Sequence, residues 1–215
     1  MPPILARGRD ASVYALDEHT VLRHYERRDV PEDEVNVMRY ARALGYPVPE
    51  VKDVSGPDMV LERVDGPTMQ EALESDPAQL DRNIRLLAAL HERLHEIAAP
   101  PGLAAVGEGD ALLHLDLHPK NVLLSAKGPY VIDWANARRG HWADDVAQTI
   151  VVFWSALADP AFADREAIVH HVVEAFLAAF DRDVVRAHLP AAIARRVADA
   201  NVTDAERAVT RRGRI

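Results

Sequence analysis

The chain contains no cysteine. Disulfides, thiolate zinc sites and cysteine nucleophiles are therefore excluded. It has no long hydrophobic run either. The most apolar stretch, TIVVFWSALA at 149–158, falls well short of the ~20 residues a bilayer demands and reads as a buried helix. The first ten residues, MPPILARGRD, put proline and charge where a secretion signal carries an apolar core. The expectation is a cytoplasmic protein with no membrane partner. Positive charge is in deficit: 25 Lys and Arg stand against 34 Asp and Glu, for a formal net charge of −9. That argues against a nucleic-acid partner held through its phosphates. An acidic surface is compatible with a cationic substrate but is in most proteins simply a solubility feature. Internal repeats and low-complexity tracts are also missing.

What remains is ordinary for a folded domain: 215 residues, 48% hydrophobic and 27% charged. This length suits one domain of two lobes, or two small domains. The pattern changes once along the chain. Residues 4–64 carry short β-like runs separated by turns, and 68–215 are mainly helical in period. Val13–Leu16 and Thr20–Tyr25 flank Asp-Glu-His and predict a hairpin. A helix is expected from Pro31 to Gly45, with acidic residues in its first turn and Val35, Met38, Ala41 and Leu44 as its buried stripe. PVPEVKDV and DMVLERV predict another strand pair. Gly66-Pro67 reads as a linker. LDRNIRLLAALHERLHEI is amphipathic, with Leu80, Ile84, Leu87, Leu90, Leu94 and Ile97 at helical spacing. A hairpin over NVLL and PYVIDW follows, then helices expected at 143–157, 160–181 and 190–211.

The stretch LLHLDLHPKNVLL, 112–124, is the chemically distinctive one. In an extended segment His114, Asp116 and His118 share one face, an acceptable ligand set for zinc or iron. That reading leaves Asn121 and Asp133 unexplained. In the alternative the hairpin folds the chain back and returns Asp133 beside Asn121. Asp and Asn are hard oxygen donors suited to Mg²⁺. Asp116 then orients a hydroxyl for phosphoryl transfer.

HLDLHPKN followed by VIDW resembles the catalytic and metal-binding motifs of the aminoglycoside phosphotransferase and choline kinase superfamily. The resemblance implies an α+β, protein-kinase-like fold of two lobes. A small antiparallel sheet with one helix forms the N-terminal nucleotide-binding lobe, 1–64. A mainly helical C-terminal lobe, 65–215, carries the catalytic loop and acceptor site. It further implies a kinase that moves the γ-phosphate of ATP or GTP, with Mg²⁺, to a hydroxyl of a small molecule. Asp116 looks like the catalytic residue, and Asn121 and Asp133 like the magnesium ligands. His114 supports the loop. His118 stands where protein kinases often place a lysine, touching the phosphate or bracing the loop. GHWADDVA resembles a family element in which Asp145 anchors that loop from below.

In the first lobe, ARGRDASVYAL takes the place of the phosphate-covering loop, with backbone groups from Gly8 to Ser12 facing phosphates and Val13 over the base. Glu34 matches the helix carboxylate that pairs with the strand cation. MVLERV resembles the hinge, with Glu62 and Val64 near the adenine edge. The chain departs from the family at TVLRHY, where Arg23 replaces the usual lysine. Arg keeps its charge and bridges carboxylate and phosphate, but the exchange is not conservative. Two other readings follow: a nucleotide-binding pseudokinase, favoured by Arg23 and the glycine-poor loop, and a metal hydrolase built on His114, Asp116 and His118. The residues after 157 are expected to line the acceptor site. Their shortness leaves that pocket open, or completed by a second copy in a homodimer.

Overall fold

The computed structural model describes residues 2–8, 10–159 and 165–213. Positions 160–164 of the helix expected at 160–181, Arg9 of the expected phosphate loop, and the last two residues lie outside the described residues. The chain forms two compact units: residues up to Thr68 together with Asn121–Asn136, and Met69–Lys120 together with the chain from Ala137 onward.

In the first unit an antiparallel sheet runs in the order β1-β2-β3-β5-β4. Its strands are β1 (Ile4–Arg7), β2 (Ala11–Ala15), β3 (Thr20–Tyr25), β4 (Val51–Ser55) and β5 (Asp58–Glu62). The β2–β3 turn forms because the Asp17 carboxylate accepts from the amides of His19 and Thr20, each at 2.7 Å. β2 begins at Ala11, earlier than expected, and Leu16 lies beyond it, exposed. Helix α1 (Glu32–Ala43) starts after Pro31 with three acidic residues in its first turn. It stops where Gly45 takes φ +83°. Val35, Val37, Met38 and Ala41 are buried, but Leu44 is 55% exposed. Leu44 is the C-cap residue, and the helical period no longer aims it inward there.

A hairpin of β7 (Val122–Ser125) and β8 (Gly128–Val131) belongs to the same unit. The amide of Leu124 donates to the Pro67 carbonyl and that of Val131 to the Pro47 carbonyl, both at 2.8 Å. Gly66 permits this approach: a Cβ there would sit 2.1 Å from the Leu124 carbonyl oxygen. Trp134 is fully buried, stands edge-on to Tyr46 at 5.6 Å and donates from Nε1 to the Val131 carbonyl.

The second unit is helical, with one small ladder of β6 (Ala111–Leu113) and β9 (Arg138–Gly140). Its helices are α2 (Met69–Ser75), α3 (Leu80–His95), α4 (Trp142–Ser155), α5 (Glu166–Leu177), α6 (Arg182–Ala198) and α7 (Asp204–Thr210). α3 buries Ile84, Leu87, Leu90 and Leu94, a stripe in which each side chain stabilises the fold by about 1.5–3 kcal/mol. α4 is buried almost throughout and packs against α5, α6 and α7, as expected for the most apolar run of the chain. No described helix is long and apolar enough to cross a membrane.

The helix expected at 190–211 is replaced by two helices. α6 is capped by Asp181, whose carboxylate accepts from the amides of Asp183 and Val184, and Pro190 lies inside it. Packing of Val185, Leu189 and Ala192 holds the helix through the proline. The chain breaks after Ala198 and restarts at Thr203, where Thr203 and Glu206 form a reciprocal capping box.

Candidate active site

Residues singled out by sequence fall into two groups, one in each unit. In the first unit Arg23 is the centre. It lies mid-strand in β3, opposite Val13 of β2 and Met59 of β5. Nη1 donates to Glu34 Oε1 at 2.9 Å, and Nη2 donates to Asp133 Oδ1 at 2.6 Å. One planar guanidinium thus joins a carboxylate from α1 to a carboxylate 110 residues away in sequence. Tyr25 Oη donates to the other Glu34 oxygen, and its ring lies 5.1 Å from the guanidinium carbon. Burial would lower the Arg23 pKa, but Asp133 and Glu34 outweigh it and hold it above its ordinary value. Burial raises the Glu34 carboxyl, with Arg23 opposing, and raises the Tyr25 phenol.

Asn121 and Asp133 flank the open end of the β7–β8 hairpin. The amide of Ile132 donates to the Asn121 carbonyl at 3.0 Å, one step beyond the Val122–Val131 pair. Asp133 takes φ +66°, a left-handed conformation rare outside glycine. An amide oxygen and a carboxylate are both hard donors of the kind Mg²⁺ takes. Arg23 engages one of the two Asp133 oxygens.

The remaining first-unit residues are dispersed around the sheet. The amide of Gly8 donates to the Ala11 carbonyl at 2.8 Å and tightens the turn between β1 and β2. Ser12 is buried, and its hydroxyl donates to Glu26. The Glu62 side chain accepts from the Glu50 amide and pairs with Arg42 at 3.1 Å. Val64 follows β5 and is half-buried.

In the second unit the loop after β6 holds His114, Asp116 and His118. β6 ends at Leu113, so the three do not lie along one strand face. Leu115 adopts φ +60° and turns the chain between them. His114 is fully buried; its Nδ1 accepts from the Asp116 amide at 3.3 Å. His118 Nδ1 accepts from the Lys120 amide at 3.3 Å, and its Nε2 lies 3.5 Å from Asp116 Oδ1. Both imidazoles are thus committed to the loop's own backbone. Among the described residues no three His, Asp or Glu side chains could jointly hold a metal ion. The metal-hydrolase reading of His114, Asp116 and His118 is therefore set aside. Burial raises the Asp116 carboxyl, but the hydrogen bond and charge of His118, then His114 and Arg196, hold it below its ordinary value.

Asp145, fully buried in the first turn of α4, binds this loop by its backbone. Oδ1 accepts from the Leu115 amide at 2.6 Å, and Oδ2 accepts from the His114 amide at 3.1 Å and from His95 Nε2 at 3.0 Å. Burial would raise this carboxyl, but the His95 hydrogen bond and the nearby imidazoles push it well below the usual range. Sequence reasoning gave His91, His95 and Thr149 no part in the loop. Thr149 Oγ1 lies 2.9 Å from both His91 Nε2 and the Leu117 carbonyl. The four-residue spacing of the two histidines in LHERLH was the available signal.

The sequence model of the phosphotransferase enzyme family (APH) matches residues 3–111 and 103–188. Streptomycin 6-kinase of Streptomyces griseus is 29% identical over a region that takes in 37% of this chain and 37% of the relative. The chain thus covers just over a third of the length of that curated relative. Two solved aminoglycoside phosphotransferases share the fold. A thermostable mutant of APH(4)-Ia superposes with a TM-score of 0.66 at 16% identity, covering 98% of this chain and 94% of the other. APH(2'')-IIa, solved with gentamicin, gives 0.66 at 14% identity, covering 90% and 81%.

Proposed function

The chain belongs to the phosphotransferase enzyme family, and from that premise we propose that it transfers the γ-phosphate of ATP or GTP, with Mg²⁺, to a hydroxyl group of a small molecule. The observation that carries the reading is Asp116 itself, an ionised carboxylate on a backbone-clamped loop. A carboxylate with a lowered pKa is a weak base, so Asp116 orients the acceptor hydroxyl and takes its proton late. That suits the loose transition state of phosphoryl transfer, in which the nucleophile needs little activation. His114 and Asp145 hold the loop, and His118 braces Asp116.

Asn121 and Asp133 would hold Mg²⁺, which when bound neutralises charge on the phosphates. Arg23, held by Glu34 through Nη1 and by Asp133 through Nη2, would meet the phosphates with its remaining N–H groups. Gly8 and Ser12, at the ends of β1 and β2, would lie nearest the phosphates, Val13 would face the base, and the backbone at Glu62 and Val64 would meet the adenine or guanine edge. For the acceptor, the formal charge of −9 favours a cationic polyol. The named relative, a streptomycin kinase, makes aminoglycosides the first class to test.

One observation favours a second reading. The Arg23–Asp133 contact occupies part of the proposed metal carboxylate, as in a nucleotide-binding module that does not transfer phosphate. Thermal unfolding with Mg²⁺ plus ATP or GTP is the first experiment. A nucleotide at 100 times its dissociation constant stabilises by about 2.7 kcal/mol, which for this length raises the melting temperature by roughly 5–10 °C. No shift with either nucleotide overturns the nucleotide site. A large gain of transfer in Arg23→Lys supports the second reading.

A further inference from the structure

We infer that Thr149 is a positioning residue for Asp116, the second of two clamps through which α3 and α4 grip the loop. The inference rests on the proposed role of Asp116. His91 and His95 are four apart on α3, and Asp145 and Thr149 are four apart on α4, so each pair shares one helical face. The pairs meet as two rungs: His95 Nε2 to Asp145 Oδ2 at 3.0 Å, and His91 Nε2 to Thr149 Oγ1 at 2.9 Å. Each rung ends on the loop backbone. Asp145 takes the amides of His114 and Leu115, and Thr149 reaches the carbonyl of Leu117 at 2.9 Å. Asp116 lies between these attachments.

The Asp145 rung alone fixes only the N-terminal side of Asp116. Leu115, at φ +60°, is a point where the chain can relax its direction. A loop held on one side of such a residue can swing its carboxylate, and the Leu117 attachment restricts that swing. Thr149 and His91 are 1% and 0% exposed, so neither offers a group to substrate directly. His91 is lodged against Phe176 at 5.0 Å, with Nδ1 2.9 Å from the Leu87 carbonyl. Because the Thr149 hydroxyl gives its one proton to the Leu117 carbonyl, His91 must back it as the neutral tautomer that donates from Nε2, with Nδ1 left unprotonated toward the Leu87 carbonyl.

The test compares Thr149→Val, which keeps the shape and removes the hydroxyl, with Thr149→Ser, which keeps the hydroxyl. Amide hydrogen exchange across residues 114–118 is read for both, alongside kcat and KM for nucleotide. Thr149→Val should speed loop exchange at least tenfold and lower kcat by about 10- to 100-fold, the scale of a misplaced catalytic group. Its KM for nucleotide should stay within twofold of wild type. Thr149→Ser should restore both exchange and kcat to within threefold. Unchanged exchange in Thr149→Val, or no rescue by serine, overturns the inference. A loss of kcat accompanied by an equal rise in KM also overturns it. Thr149→Ala is measured in parallel; if both it and Thr149→Val fail to fold, the role is general stability and the inference falls. If the wild-type protein transfers no phosphate, the proposed function fails, and hydrogen exchange alone still decides whether Thr149 holds the loop.

Discussion

Replacing Asp145 with alanine removes three contacts at once: the acceptor of the Leu115 amide at 2.6 Å, of the His114 amide at 3.1 Å, and of His95 Nε2 at 3.0 Å. His114 is 0% exposed and Leu115 is 8% exposed, so water does not readily replace the lost acceptor. Each buried amide left without a partner costs about 1–3 kcal/mol. Against this, Leu115 is free to leave its left-handed conformation, which returns about 1–2 kcal/mol. Three lost contacts at that cost, less the relief at Leu115, give a net loss of about 1–8 kcal/mol, centred near the 3–5 kcal/mol seen when one partner of a buried charged contact is deleted. A loss of about 3–5 kcal/mol lowers the melting temperature of a chain this long by roughly 6–20 °C. Asp145→Asn keeps an oxygen for Leu115 but turns an amide toward two donors, so it falls between wild type and alanine. Urea denaturation followed by tryptophan fluorescence measures all three proteins. If Asp145→Ala falls within about 0.5 kcal/mol of wild type, as a surface change would, the clamp carries no stability and the reasoning is wrong.

Two further predictions concern buried charge. Arg23→Ala leaves Glu34, whose side chain is 0% exposed, without its cation, and should cost about 3–5 kcal/mol in the same assay. Arg23→Lys should recover part of that, since an ammonium meets Glu34 but cannot fork to Asp133; equal stability in the two variants would show that the pair contributes nothing. Burial pushes His91 down to about 4, whereas an unfolded histidine titrates near 6.5. Between those values the unfolded chain binds more protons, so stability falls as pH drops from about 6.5 to 4, by on the order of 3 kcal/mol. His91→Gln should flatten that part of the pH profile, and an unchanged slope would sink the assignment.

The first unit was legible where local chemistry dictates structure. The Asp17 turn, the acidic first turn of α1 and the Gly45 stop all carry their signals within a few residues. The spacing of Asn121 and Asp133 about a hairpin was equally local, and the ladder sets them at one end of it. Arg23 was conspicuous as a departure from a family pattern, but its contact with Asp133 spans 110 residues and no periodicity encodes it. The left-handed turns at Leu115 and Asp133 were invisible for another reason: leucine disfavours that conformation, aspartate adopts it only in a minority of positions, and tertiary contacts impose it on both. The break at 199–203 was readable. Thr203 and Glu206 are spaced as a capping box, a signal confined to four residues. Thr149 sits in an apolar run that announces only burial, so its contact with the loop needed the structure.

Transfer of label from γ-labelled ATP and GTP, with Mg²⁺, to a panel of aminoglycosides and simpler alcohols, by wild type and by Asp116→Ala, decides the role of Asp116. Wild type should transfer label in a magnesium-dependent way. The variant should lose about 10²- to 10⁴-fold, the usual weight of a positioned acid–base group, with the nucleotide-induced rise in melting temperature retained. Transfer by Asp116→Ala at the wild-type rate would contradict that role, as would a wild-type protein that binds nucleotide yet labels no acceptor.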